Sequence, residues 1–266
     1  FSVAKYNDDG RLVWRTPYSR EYSGTYEPVA TAYNAGAIFV LCNVNLADAN
    51  VVKFSGDDGS QLNENGWGGA FAHRSRGIVA DPEGTGVIVT GVIRYTDPEY
   101  FDHRQYRMFT IKYDADLNEV WPRRAGQSLG LLDYPQNPTP TPRAITADSD
   151  GNIYVTGVLD VETGPTMPPY RTGAARAFTL KYNSLGVLDW IEQSPAEPSI
   201  TNYGYDNDYD ATGTYMVYQS VPSHLEDEPL STGTTVLTKR NLDGTTWPPR
   251  RRPSRIRDLN VPDGGT

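Results

Sequence analysis

The sequence is short of cysteine, histidine, basic charge and long apolar runs, and each shortage removes a class of protein. The single cysteine, Cys42, supports neither a disulfide framework nor a thiolate metal cluster. It follows Ile38-Phe39-Val40-Leu41, a strand-like run, so a buried core thiol is expected rather than a nucleophile. The three histidines, His73, His103 and His224, are far apart in polar contexts and form no zinc-type pair. No glycine loop ending in Lys-Ser/Thr that could cradle phosphate is present. No stretch approaches the roughly 18 apolar residues of a membrane-spanning helix. Lys and Arg number 24 against 33 Asp and Glu, and the net charge of −9 is a poor match for nucleic acid. What is abundant is aromatic and turn-forming: 18 Tyr, 5 Trp, 25 Gly and 20 Pro in 266 residues, a mixture that favours many short strands joined by turns.

A repeat organises those strands. Phe1-Ser2-Val3-Ala4-Lys5-Tyr6 leads through Asp9-Gly10 to Trp14, and Phe109-Thr110-Ile111-Lys112-Tyr113 leads to Trp121. Phe178-Thr179-Leu180-Lys181-Tyr182 leads through Leu185-Gly186 to Trp190, and Thr235-Val236-Leu237-Thr238-Lys239 leads through Asp243-Gly244 to Trp247. A weaker copy runs from Val51-Val52-Lys53-Phe54 through Asp58-Gly59 to Trp67. The Lys-to-Trp spacing is 9 in three copies, 8 in the last and 14 in the weak one, and every Trp of the chain falls in this motif. Alternating side chains, a turn tolerant of positive φ and a second strand make each copy a β-hairpin.

A second hairpin type lies between these copies. Ile145-Thr146-Ala147-Asp148 turns through Ser149-Asp150-Gly151-Asn152 into Ile153-Tyr154-Val155-Thr156-Gly157. Ile78-Val79-Ala80-Asp81 turns into Val87-Ile88-Val89-Thr90-Gly91, and weaker versions surround Ala32-Tyr33-Asn34 and Tyr209-Asp210. Their near-continuous Val/Ile/Tyr runs predict strands covered on both faces. The unit is therefore four strands, with Lys-to-Lys steps of 48, 59, 69 and 58 residues. The variation is assigned to polar, Pro-rich insertions at 97–107, 133–142, 163–176 and 222–233. No helical stripe is found. The block from Asp148 to Gly157, with Phe178-Thr179-Leu180-Lys181-Tyr182 and Trp190, resembles the bacterial seven-bladed-type β-propeller repeat. The resemblance spans about residues 1–247 and implies an all-β propeller of four-stranded antiparallel blades, common in secreted or surface proteins. It implies no enzymatic activity and no particular ligand. A β-sandwich is the alternative fold.

Five outer hairpins are counted against four inner ones. Three arrangements satisfy that count: a five-bladed ring closed by the tail, part of a larger propeller, or a ring whose open edges pair with another subunit. The chain begins inside a strand pattern without an initiator Met, so processing or a longer parent chain is expected. Residues 1–247 read as the propeller repeats and 248–266 as a Pro/Arg-rich arm or linker, in which only 254–261 resembles a strand.

Three groups are candidate sites. Asp148, Asp150 and Asn152 suggest a calcium loop, but Gly151 falls one position too early for the EF-hand and Leu159 stands where the closing acid belongs. A hairpin turn accounts for the same residues. Tyr203, Tyr205, Asp206, Asp208, Tyr209 and Asp210 form a Tyr/Asp segment of the kind that binds glycans by stacking and carboxylate hydrogen bonds. No pair of acids stands out as catalytic, so no catalytic residue is named. Arg250, Arg251, Arg252, Arg255 and Arg257 suggest a basic arm that docks on an acidic partner, including a second copy of the chain. The expected function is thus a non-catalytic structural or interaction propeller, extracellular, on the cell surface or in a virion, with no cofactor required. A lectin-like glycan binder and a propeller enzyme acting on polysaccharides are the alternatives.

Overall fold

The computed structural model describes residues 1–19, 24–45, 48–67, 73–96, 104–121, 139–160, 175–194, 200–210, 213–222, 234–241 and 250–253. These residues form strands and turns in five antiparallel sheets. The first sheet is a hairpin of β1 (Ser2–Tyr6) and β2 (Leu12–Pro17). The second holds β3 (Tyr26–Asn34), β4 (Ala37–Val44), β5 (Asp48–Ser55) and β6 (Gln61–Trp67), paired in that order. The third holds β7 (His73–Ala80), β8 (Val87–Thr96) and β9 (Arg104–Tyr113), extended by a single bridge between Tyr113 and Glu119. The fourth is β10 (Thr139–Ala147), β11 (Ile153–Asp160), β12 (Arg176–Tyr182) and β13 (Leu188–Gln193). The fifth is β14 (Ile200–Asp210), β15 (Gly213–Pro222), β16 (Thr234–Asn241) and β17 (Arg250–Pro253).

The repeat read from the sequence is this sheet. Its constant Lys-to-Trp spacing of nine is a hairpin register, since Lys5 faces Trp14 and Lys181 faces Trp190 across their strands. The apolar runs are the second strands, β4 and β11, which are buried along nearly their whole length. Two expectations are corrected. Residues 104–107 and 139–142 are strand, not insertion. Pro140 and Pro142 fit because β10 is the edge strand of its sheet, where one side needs no ladder donor. The tail supplies its strand at Arg250–Pro253, antiparallel to β16, rather than at 254–261, which lies outside the described residues. The boundary at 247 therefore cuts through the last sheet.

Packing proceeds from each sheet to the next. One cluster joins Phe1, Val3 and Tyr18 of the first sheet to Val40, Cys42, Val52 and Phe54 of the second. Another joins Phe39, Leu41 and Val51 to Val89, Phe109, Ile111, Tyr113 and Leu117. A third joins Ile88, Met108 and Trp121 to Val155, Phe178 and Leu180, and a fourth joins Ala177 to Met216, Tyr218 and Val236. Each fully buried side chain of this size contributes about 1.5–3 kcal/mol. Among the described residues no such cluster joins the fifth sheet to the first.

The repeated tryptophan has a specific seat. A Cβ placed on Gly59 would lie 2.5 Å from the ring of Trp14, and one on Gly186 would lie 2.8 Å from that of Trp121. Both glycines sit in the outer turn of the following sheet with φ of +74° and +76°. The same glycine thus supplies a left-handed turn and a flat surface for the ring. Trp190 instead meets the guanidinium of Arg240, 4.2 Å from its centroid, again on the next sheet. Between the second and third sheets the pair is reversed in size. Asn63 stands in the Trp position opposite Lys53, and the turn's left-handed residue is Leu117, at φ +60° and 1% exposed. Asn63 and Asn65 then bond the carbonyls of Asp116 and Leu117.

This arrangement separates two glycine effects. Gly10 has φ +74° with nothing near its missing Cβ, so Gly10→Ala costs only the backbone penalty, about 1 kcal/mol. Gly186→Ala adds collision with Trp121, and urea denaturation is expected to show it less stable than Gly10→Ala by at least about 1 kcal/mol.

Candidate functional site in the innermost strands

The first strand of each complete sheet lies beside that of the next: β3 against β7, β7 against β10, β10 against β14. Each of these four strands has one irregularity in its pairing. The register slips at Val29 in β3, Arg76 in β7, Arg143 in β10 and Tyr205 in β14. The slipped residue always stands five positions before the Asn or Asp that opens the turn, namely Asn34, Asp81, Asp148 and Asp210. A bulge leaves its residue out of the ladder and re-aims the side chain. The repeat therefore builds a row of equivalent, redirected positions along the innermost strands, and two neighbours in that row are arginines.

Arg74, Arg76 and Arg143 are close enough to feel one another. Arg76 has its pKa lowered, first by burial and then by the charges of Arg143 and Arg74, while Glu27 on β3 acts in the opposite direction. The Nε of Arg76 is buried and has no hydrogen-bond partner among the described residues. The strands approach closely here, since a Cβ on Gly77 would lie 2.8 Å from Cγ2 of Ile145. Sequence reasoning passed over these arginines. Their signal is the shared spacing from Asp81 and Asp148.

The turns that follow use their acids internally. Oδ1 of Asp148 accepts from the backbone N–H of Asp150 and of Asn152, and Oδ2 accepts from Nδ2 of Asn152 and the hydroxyl of Tyr154 at 2.8 Å. The structure thus brings Asp148 and Asn152 together as a capped turn, with the Asp150 side chain exposed. Among the described residues, no three His, Cys, Asp or Glu side chains are grouped to hold a metal ion. Burial, then the bond to Asp148, holds the Tyr154 phenol well above its ordinary pKa, so it remains a donor. In the third sheet the same acid, Asp81, is held by Lys112 at 2.9 Å, both side chains being buried. The difference lies in one intervening residue. Ile88 faces Lys112 across the strands and leaves it free to reach the acid. Tyr154 faces Lys181 and takes the acid itself, so Lys181 pairs with Asp189 instead. Asn34 carries no charge and donates to the carbonyls of Asp81, Gly84 and Gly86 in the next sheet.

The remaining candidates divide by location. Residues 203, 205, 206, 208, 209 and 210 lie along β14, in a strand beside the bulge rather than in a surface loop. Asp208 is exposed; the side chains of Tyr203, Tyr205, Asp206, Tyr209 and Asp210 are outside the described set. Arg250, Arg251 and Arg252 belong to β17, where they face Leu237, Val236 and Thr235 of β16, so these three are sheet residues rather than a free arm. Arg255 and Arg257 lie outside the described residues, as do His103 and His224, while His73 opens β7. Cys42 is fully buried, its Sγ 3.6 Å from the carbonyl of Asn50.

A family model for the beta-propeller repeat, SBBP, matches residues 125–158, which include β10, the Asp148 turn and most of β11. The chain is a β-propeller. Its sheets are the blades, and its innermost strands are the first strand of each. Among solved structures it is similar to the Dos1 propeller, with 9% identity and a TM-score of 0.47 over 96% of this chain and 66% of that one. It is also similar to the polysaccharide lyase Uly1, with 11% identity, a TM-score of 0.41, and 84% and 56% coverage. A third is the quinohemoprotein alcohol dehydrogenase ADHIIG from Pseudomonas putida, with 9% identity, a TM-score of 0.39, and 93% and 60% coverage. The chain thus spans between 56% and 66% of the length of these three proteins. No curated protein matches the sequence.

The Tyr154–Asp148 bond sets a measurable cost within the fourth blade. Tyr154→Phe leaves Oδ2 of a nearly buried carboxylate short of one donor. A loss of about 1–3 kcal/mol in unfolding free energy is expected by chemical denaturation, with the far-UV dichroism of the fold unchanged.

Proposed function

We propose that this propeller is a non-catalytic, rigid interaction scaffold in a cell-surface, secreted or virion assembly. The reading rests on where the recurrent charged side chains are engaged. The lysine repeated in every blade is taken up by the blades themselves: Lys5 bonds the carbonyl of Gly56, Lys53 that of Ala115, Lys112 pairs with Asp81, Lys181 with Asp189, and Lys239 bonds the Tyr215 hydroxyl. Two of these five contacts cross to the next blade, where Arg240 also pairs with Glu192 of the blade before it. Such a chain of clamps favours stiffness over movement of one blade against another.

A partner surface is offered at the first sheet. Tyr6, Leu12 and Val13 are 62%, 54% and 52% exposed, a cluster of large apolar side chains at one hairpin. Large apolar side chains exposed together at one hairpin suit contact with another chain.

Light scattering on the purified chain tests this. A mass that is a multiple of 29.5 kDa is expected, falling towards 29.5 kDa in Val13→Glu without loss of secondary structure. A wild-type protein that stays at 29.5 kDa at high concentration would overturn self-assembly through this face.

A further inference from the structure

We propose that Arg74, Arg76 and Arg143, brought together on the adjacent innermost strands β7 and β10, form a binding site for a small oxyanion-bearing ligand, a carboxylate or a phosphate. The site goes beyond the scaffold reading, which requires no ligand. Three observations support it.

The first is charge. In a protein of net charge −9, the recurrent lysines and Arg240 are engaged by acids, carbonyls or a hydroxyl, as described above. These three arginines have no ion pair among the described residues, although Glu27 lies within electrostatic range of Arg76. Like charges gathered beside a low-dielectric wall repel one another and focus a positive potential, which an anion relieves.

The second is geometry. Arg76 and Arg143 occupy the bulge position of successive blades, where the backbone turns the side chain out of the regular pleat. Arg74 stands two residues before the first of them, and the strands are held close by the contact of Gly77 with Ile145. Planar guanidinium groups suit the two oxygens of a carboxylate or phosphate, which they bind in paired hydrogen bonds. The buried, unpartnered Nε of Arg76 is one such donor still to be satisfied.

The third is dispensability to the fold. The second blade forms the same bulge with Val29 in place of arginine, five residues before its turn. A bulge in this repeat therefore needs no cation, and two arginines in neighbouring blades call for another reason.

Calorimetric titration of the whole chain with inorganic phosphate and, separately, with citrate, at low ionic strength and against a chloride control, tests the site. Saturable binding of at least one is expected, and the stronger of the two identifies the oxyanion. Arg143→Gln and Arg74→Gln, both at exposed positions, are each expected to weaken it at least about tenfold. Neither should lower the melting temperature of the unliganded protein, because each removes a repulsive charge. Arg15→Gln, whose side chain bonds Ser2 in the first blade, is expected to bind as the wild type does. The absence of saturable binding for both probes at millimolar concentration, or equal affinity in the two variants and the wild type, would overturn the proposal.

Discussion

The contact between a tryptophan and the left-handed glycine of the next blade's outer turn holds much of this structure in order. Antiparallel sheets pack on one another either nearly aligned or nearly orthogonal. The ring of Trp14 on Gly59, and that of Trp121 on Gly186, selects one arrangement, because only a residue without Cβ leaves room for the ring. The hydrophobic clusters then fill in behind these contacts, each shared by two consecutive blades. At these two junctions long-range order is thus assembled from a local rule, a turn and a ring set at a fixed distance from a lysine.

Much of the fold was legible because its signals are local. A hairpin register shows as a fixed spacing, and the nine residues from Lys181 to Trp190 state it directly. A strand covered on both faces shows as a run such as Ile153-Tyr154-Val155, with no partner needed to recognise it. Proline misled at β10, since Pro140 and Pro142 signal a loop unless the strand is known to lie at an edge. Arg250–Pro253 is short and charged, and only its pairing with β16 makes it a strand.

The arginines at the bulges were hidden for a different reason. A bulge is a property of two strands together, and neither Arg76 nor Arg143 differs in isolation from a surface arginine. Their nearness depends on the packing of β7 on β10, which joins residues 67 positions apart. The turn of Asp148 is the opposite case. Its calcium-like letters were legible, and the structure shows the same oxygens bonding Asn152 and Tyr154. Repeated acids in this protein organise turns, and arginines placed at bulges do not share that task.

The reversed pair between the second and third blades has a consequence for how such a chain can change. Where one junction sets Trp against Gly, the next sets Asn63 against Leu117. Placed after the first blade, the third would present Leu117 to Trp14, and both would claim the same volume. Placed after the second, the fourth would leave a hollow between Asn63 and Gly186. The blades therefore resemble one another in plan yet are not interchangeable. The two kinds of junction do not mix, so duplication of the second or the third blade alone would bring mismatched neighbours together until one side of the new seam had changed.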